Sequence, residues 1–122
     1  MNSNYLYINS RDELLRIELT SIVYFEADGN YTNIISHNGM KGMVGMNLSK
    51  MEKKIATLSK SKKLNFARIG KRYIINMNYI YTINPLMQIL ILSDQRTFFY
   101  KLEISKDALK KLKELIVNSI EK

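Results

Sequence analysis

The sequence predicts a mainly β protein in which many short antiparallel strands are combined with two helices. Three observations lead to this fold class. Most of the 122 residues fall into short runs rich in β-branched and aromatic side chains, which strands prefer. Turn dipeptides such as Asp-Gly and Asn-Gly separate these runs. Only the stretches at about 47–59 and 105–120 repeat apolar residues at helical intervals.

Five strands are predicted before the first helix. The runs NYLYIN and LLRIEL form the first two and are joined through the polar segment SRDE. IVYFEA is followed by Asp28-Gly29, a tight-turn signal because glycine readily adopts the positive φ that a hairpin requires. Asn38-Gly39 gives a second hairpin signal. The predicted strands span 4–9, 14–19, 22–27, 31–37 and 40–46.

Each helix is predicted from an apolar stripe and a capping residue. The first stripe consists of Leu48, Met51, Ile55 and Leu58, and the second of Leu109, Leu112, Ile116 and Ile120. Asn47 is a candidate N-cap of the first helix, with Ser49 and Glu52 as a capping-box alternative if that helix begins slightly later. Ser105 is the predicted N-cap of the second helix.

Five further strands are predicted between the two helices. The first two flank the turn Gly70-Lys71-Arg72, and the second of them is the apolar run beginning at Tyr73. Asn84-Pro85 and Ser93-Asp94-Gln95 separate the last three because these residues favour turns. The predicted strands span 66–69, 73–75, 79–83, 88–92 and 97–104.

Charge is the most informative property of the composition. Nineteen Lys and Arg residues against eleven Asp and Glu residues give a net charge of +8, which favours polyanionic partners. The excess is clustered, since the segment from Lys50 to Arg72 holds nine cations and the single acid Glu52. This clustering predicts one binding face, with an ordinary solvated helix and loop as the alternative.

Several classes of protein are not expected. Cysteine is absent, which excludes disulfides, thiolate chemistry and zinc fingers, and His37 is the only histidine. No segment approaches the roughly 18 consecutive apolar residues of a membrane helix, and the N-terminus lacks the pattern of a signal peptide. We therefore expect one domain spanning 1–122, a cytoplasmic location, no membrane association, and neither a metal nor another cofactor.

Enzymatic chemistry has little support. Glu26 and Asp28 would share one face of a strand, but nothing marks a pocket in which they could act as acid and base. The segment GMKGMVG lacks the Lys-Ser ending of a phosphate-binding loop. Met40, Met43 and Met46 are expected to fill a core rather than to bind a soft metal. We expect a protein that is not an enzyme.

Nucleic-acid binding fits the residues better. Lys71 and Arg72 lie in a turn, while Asn30 and the three residues after it form a polar cluster at a strand start. Arginine suits guanine and asparagine suits adenine in direct base readout. As an alternative, Asn30 only turns the chain and Tyr31 packs. The two helical patterns are nearly fifty residues apart, too far for a helix-turn-helix motif.

Three blocks of this sequence resemble the LytTR DNA-binding domain family. They are IVYFEADGNYTNI (22–34), NLSKMEKKI (47–55) and FARIGKRYIINMNYI (66–80), and the resemblance runs from about Tyr5 to the final helix. It implies an elongated, antiparallel, multi-sheet β fold used by bacterial transcriptional regulators. In that family, loops between strands enter successive major grooves of double-stranded DNA, typically at direct-repeat sites.

The resemblance assigns DNA contacts to three loops. The residues it implicates are Tyr31, Thr32 and Asn33 in the first; Arg68, Lys71 and Arg72 in the second; and Lys106 in the third. Many relatives carry serine at the position of Arg72, and a second basic residue is frequent at the position of Asp107. Asn76 resembles a structural asparagine of the family. Thr32 and Asn33 are expected to read bases or to position the protein at the neighbouring groove.

These observations predict a sequence-specific, double-stranded DNA-binding transcriptional regulator. A homodimer on DNA is one assembly that the resemblance implies, and the controlling kinase or other regulator is left open. LytTR domains usually follow a receiver or membrane module, and neither is expected in these 122 residues. We therefore expect a single LytTR-like domain without a receiver domain, either free-standing or cut from a longer protein. The alternatives are a protein-interaction module that pairs with a full-length regulator, through an exposed apolar edge such as QILIL, and charge-driven binding to RNA or a membrane surface.

Overall fold

The computed structural model of the chain describes residues 4–59 and 65–120. Within them the strands are β1 Tyr5–Asn9, β2 Leu14–Glu18, β3 Ile22–Asp28, β4 Tyr31–Ser36, β5 Lys41–Val44, β6 Phe66–Ile69, β7 Tyr73–Asn76, β8 Ile80–Asn84, β9 Ile89–Ser93 and β10 Phe99–Glu103. The helices are α1 Leu48–Ser59 and α2 Lys106–Ile120, and short 3₁₀ turns occupy Leu19–Ser21 and Met77–Tyr79. Every predicted strand and both predicted helices are confirmed, with ends that agree to within two residues.

The strands of the described residues form three antiparallel sheets. β1 and β2 make a two-stranded hairpin, and the largest sheet has the order β5-β4-β3-β7-β6. The third sheet has the order β10-β9-β8. This architecture confirms the predicted mainly β, multi-sheet fold class, and it places β3 at the centre of the five-stranded sheet.

The five-stranded sheet separates two hydrophobic cores. Successive side chains of a strand point to opposite faces, so Tyr24 and Phe25 of β3 enter different cores. Phe25 packs with residues of α1 and of the β1–β2 hairpin, such as Met51 and Leu6. Tyr24 packs with the three-stranded sheet and with α2, including Leu109. Because both faces are covered, β3 and β7 read as nearly continuous apolar runs.

Two expectations about exposure are wrong. The segment QILIL lies mainly in β9, the middle strand of its sheet, and Leu90 and Leu92 are both 0% exposed. It therefore cannot serve as an exposed pairing edge. Met40 and Met43 do not fill a core but are exposed, because they lie at and beside β5, an outer strand of the five-stranded sheet.

The predicted turn and cap residues adopt the expected conformations. Gly29 and Gly39 have φ angles of 61° and 86°, in the left-handed region that favours glycine. Of the two capping alternatives for α1, the first is observed, since the Asn47 side-chain oxygen accepts a hydrogen bond of 2.9 Å from the Lys50 N–H. Ser105 Oγ accepts one of 3.3 Å from the Ala108 N–H, which confirms the cap of α2.

Asp94 organises the turn between β9 and β10. Its carboxylate accepts hydrogen bonds from the Thr97 hydroxyl and from the backbone N–H groups of Arg96, Thr97 and Phe98. The Thr97 hydroxyl above all, together with these N–H groups, holds the pKa of Asp94 well below its usual range. The ionised carboxylate therefore stabilises the folded state.

Lowering the pH is expected to reduce the stability of the folded state, in part through protonation of Asp94. Because its pKa is lower in the folded state, its stabilising contribution is complete above the unfolded pKa of about 3.9 and is lost as the pH falls further. The melting temperature, measured from pH 6 to pH 2.5, should therefore fall less steeply in Asp94→Asn than in the wild type. Asp12→Asn, which changes an exposed carboxylate, is the control. Parallel curves for wild type and Asp94→Asn would contradict this role.

Candidate nucleic-acid interface

Two predicted contact loops lie side by side at one end of the five-stranded sheet. Glu26 of β3 is paired with Asn33 of β4 on one side and with Tyr73 of β7 on the other. The hairpin 28–31 and the turn 70–72 therefore extend from neighbouring strands at the same end. A backbone hydrogen bond of 2.8 Å from the Ala27 N–H to the Arg72 carbonyl joins them.

The third predicted contact loop, which follows β10 of the three-stranded sheet, lies at the same end. Lys71, Arg72 and their neighbours line a cavity of about 410 Å³ together with 103–105, the end of β10 and the junction to α2. Lys106 is the next residue and begins α2. The contact edge consists of the hairpin 28–31, the turn 70–72 and the junction 103–106. The structure thus brings the three loops together.

Arg68 holds the turn 70–72 in shape. Its guanidinium donates hydrogen bonds from Nε to the Gly70 carbonyl at 3.2 Å and from Nη2 to the Lys71 carbonyl at 3.0 Å. Nη1 donates to Glu52 Oε1 of α1 at 2.9 Å. Gly70 itself has a φ of 63°, which a side chain would disfavour. Since three different groups occupy it, the Arg68 fork supports the turn rather than projecting from it.

Lys71 and Arg72 present positive charge outward from that turn. Lys71 is exposed, and within the described residues its ammonium has neither a hydrogen bond nor an ion pair. The Arg72 side chain is 63% exposed, donates from Nη2 to Glu26 Oε2 at 3.1 Å and lies 5.2 Å from the centre of the Tyr73 ring. Burial raises the pKa of Tyr73, and the Arg72 cation offsets part of that rise. Arg72 is therefore steered by two neighbours while most of it faces solvent.

Only one of the three predicted contact residues in the first hairpin is exposed. Tyr31 is 51% exposed, whereas Thr32 and Asn33 are buried at 0% and 3%. The Thr32 hydroxyl donates a hydrogen bond of 2.7 Å to the Met46 carbonyl, which ties the hairpin to the segment leading into α1. The Asn33 side-chain oxygen is buried without a hydrogen-bond partner among the described residues. Of the two roles predicted for this pair, burial favours positioning, and direct base contact stays a prediction.

The sequence did not reveal the two acids that organise the basic turn. Glu26 and Glu52 lie 46 and 16 residues from the arginines that they bind, so no local spacing marks them. Asn76, by contrast, has the predicted structural role. Its amide donates a hydrogen bond of 2.9 Å to the Ile22 carbonyl, and its oxygen accepts one of 3.0 Å from the Asn78 N–H. Lys60, Lys62 and Lys63 of the basic cluster lie outside the described residues.

The same part of the chain offers few other kinds of site. Within 4–59 and 65–120, no group of three or more His, Cys, Asp or Glu side chains is arranged to hold a metal ion. None of the helices described there has the length and apolar character needed to cross a membrane. Among the described residues, the exposed cations of the contact edge are therefore the feature that indicates a binding site.

Comparison with known proteins bears on the family and the fold of the chain. A family model described as the LytTr DNA-binding domain matches residues 12–117. A solved structure, the LytTr DNA-binding domain of a protein assigned as a methyl-accepting/DNA response regulator from Bacillus cereus, is similar with a TM-score of 0.63. The similarity covers 93% of this chain and 96% of that one at 19% identity, so it bears on fold alone. No curated protein sequence matches the chain.

Proposed function

The chain belongs to the LytTR DNA-binding domain family, and on that premise we propose that it binds specific sequences in double-stranded DNA and regulates transcription. The observation that carries this proposal is the contact edge. The exposed residues Lys71, Arg72, Lys106 and Tyr31 belong to the three loops of this edge. Loops held by strands on rigid sheets can enter a major groove about 12 Å wide without a recognition helix.

The two cations of the turn are suited to different tasks. Lys71 carries a compact, solvated charge on a flexible stem, which favours a phosphate contact. Arg72 carries a planar fork that matches O6 and N7 of guanine, and Glu26 with Tyr73 restricts where that fork can point. We assign phosphate binding to Lys71 and guanine reading to Arg72.

The remaining predicted residues support these two. Lys106 lies in the first turn of α2, where helix N–H groups also attract phosphate, although Asp107 opposes an anion there. Tyr31, on the neighbouring hairpin, contacts the groove wall or a DNA base. Thr32 and Asn33 hold Tyr31 in position. Two copies on a direct repeat would place two contact edges along one face of the duplex. Such an activity locates the protein with the chromosome in the cytoplasm.

Selection of bound duplexes from a random DNA library tests this function. The purified protein is expected to enrich one motif at about 0.15 M salt, with its repeats about one helical turn apart. Methylation of guanine N7 within that motif should interfere with binding, because N7 lies in the major groove. Retention of DNA without an enriched motif would indicate binding by charge alone. No retention at all would favour a module that pairs with another protein.

A further inference from the structure

A second basic surface adjoins the contact edge. α2 and the connection from β8 to β9 enclose an open cleft of about 690 Å³. One wall carries Lys106, Lys110 and Lys113, and the other is formed by the apolar residues Ile83, Pro85 and Leu86. The proposed function uses only Lys106 of this cleft, so the rest of its lining has no assigned role.

The three lysines form a row on one side of α2. Their spacing of i, i+4 and i+7 places them on the same helical face. Seven residues at 1.5 Å per residue extend over about 10 Å. All three are exposed, and none is joined to an acid by an ion pair within 4–59 and 65–120. Glu114 is the acid in the cleft; it follows Lys113 and lies one helical turn from Lys110.

The cleft is continuous with the contact edge. Lys106 belongs to both, since it follows the junction 103–105 and also lines the cleft. The Ile104 N–H donates a hydrogen bond of 3.1 Å to the Gln88 carbonyl, which ties the β8–β9 connection to that junction. DNA bound at the contact edge would therefore have a free basic row beside it.

We propose that this cleft binds one sugar–phosphate strand of the DNA held by the contact edge, an inference that rests on the proposed function. A single strand of B-DNA carries one charge per roughly 3.4 Å of helix axis, and its neighbouring phosphates lie further apart than this along the backbone, so a row of about 10 Å faces about two to three phosphates. The phosphates meet the lysine wall, and the carbon faces of the deoxyriboses meet Ile83, Pro85 and Leu86. Backbone contacts of this kind strengthen binding and fix its register without reading bases.

The test is Lys110→Gln combined with Lys113→Gln. Glutamine retains a helix propensity close to that of lysine, so α2 should stay folded. Affinities are measured from 50 to 200 mM salt on the selected duplex and on a scrambled one. The slope of log K against log salt should fall in magnitude by about 1.8, because each lost phosphate contact removes about 0.9. At 0.15 M salt, affinity should fall roughly five- to thirtyfold on both duplexes, with the preference between them unchanged.

Lys41→Gln combined with Lys101→Gln is the matched control. Both lysines are exposed and lie on strands that do not line the cleft. Their replacement lowers the net charge by two, as the cleft variant does. Glu114→Gln provides a test of opposite sign and should tighten binding. If the melting temperature of the double variant is lowered, Lys110→Gln alone should still reduce the slope by about 0.9. A slope equal to that of the control overturns the inference.

The experiment separates this inference from the proposed function. If the wild type prefers its selected duplex but the cleft variant keeps its salt slope, only the cleft assignment fails. If the wild type prefers no duplex, the proposed function fails. In that case, the comparison of slopes on the scrambled duplex still decides whether the cleft binds phosphates.

Discussion

Replacing both Lys71 and Arg72 with alanine is expected to lower the affinity for the selected DNA at least about a hundredfold. A hydrogen bond to a charged group contributes about 1.5–3 kcal/mol and a bidentate arginine–guanine pair about 1–3 kcal/mol. Two such contacts together amount to about 2.5–6 kcal/mol, and the roughly 2.8 kcal/mol of a hundredfold change lies near the lower end of that range. Lys71 faces solvent and the Arg72 side chain is 63% exposed, with its ion pair to Glu26 at one edge, so the interactions lost within the fold are small beside this effect.

The same double variant should remain folded. Among the described residues Lys71 contributes only its backbone carbonyl to a hydrogen bond, and in the Arg72–Glu26 ion pair the arginine side chain is 63% exposed. Such pairs contribute at most about 1 kcal/mol to the free energy of unfolding. Equilibrium titration and a thermal melt of the same preparation measure both quantities, with Lys41→Ala/Lys101→Ala as the control of equal charge. A normal gel shift by the double variant would refute the role of the turn.

Single substitutions distinguish the two assigned roles. Lys71→Ala should weaken binding about equally on all duplexes and reduce the salt slope by about 0.9. Arg72→Ser removes the guanidinium, and it should relax the preference for guanine at one position of the motif. If Arg72→Ser leaves the enriched motif unchanged, Arg72 contacts phosphate and does not read a base.

Arg68→Ala and Arg68→Lys are both expected to lower DNA affinity about ten- to a hundredfold. Arg68 uses its planar fork to join the carbonyls of Gly70 and Lys71 to the Glu52 carboxylate, and lysine cannot hold these three acceptors in that geometry. Without the fork, the turn loses the shape that presents Lys71 and Arg72. The unfolding free energy should fall by about 1–3 kcal/mol in both variants.

The comparison of lysine with alanine identifies how Arg68 acts. If Arg68 contacted a phosphate directly, Arg68→Lys would retain the charge and much of the affinity. A positioning residue instead gives similar losses of affinity in both variants, and the salt slope should change equally in both, because any change comes from the displaced Lys71 and not from the charge at position 68. Glu52→Gln should show a smaller loss in the same direction, since its oxygen still accepts from Arg68. Near-normal binding by Arg68→Lys would contradict the positioning role.

The elements of this fold could be predicted because their signals are local. Gly29 and Gly39 mark hairpins through a positive φ, Asn47 and Ser105 cap helices through bonds to residues three positions away, and apolar periodicity identifies both helices. The basic turn at 70–72 is local as well, since it combines a glycine with adjacent cations. Chain order and short-range chemistry are sufficient for each of these features.

Exposure and pairing could not be predicted in the same way, because they depend on which elements cover a given face. Thr32 and Asn33 read as polar surface residues, yet neighbouring strands and the segment before α1 enclose them. QILIL reads as a free apolar edge, yet β8 and β10 flank it. Arg68 and Arg72 look alike within FARIGKRYIIN, but distant carboxylates on α1 and β3 bind them at different depths. The sequence therefore specifies the strands, the turns and the basic loop, while long-range packing determines that Arg68 supports this loop and that Lys71 and Arg72 project from it.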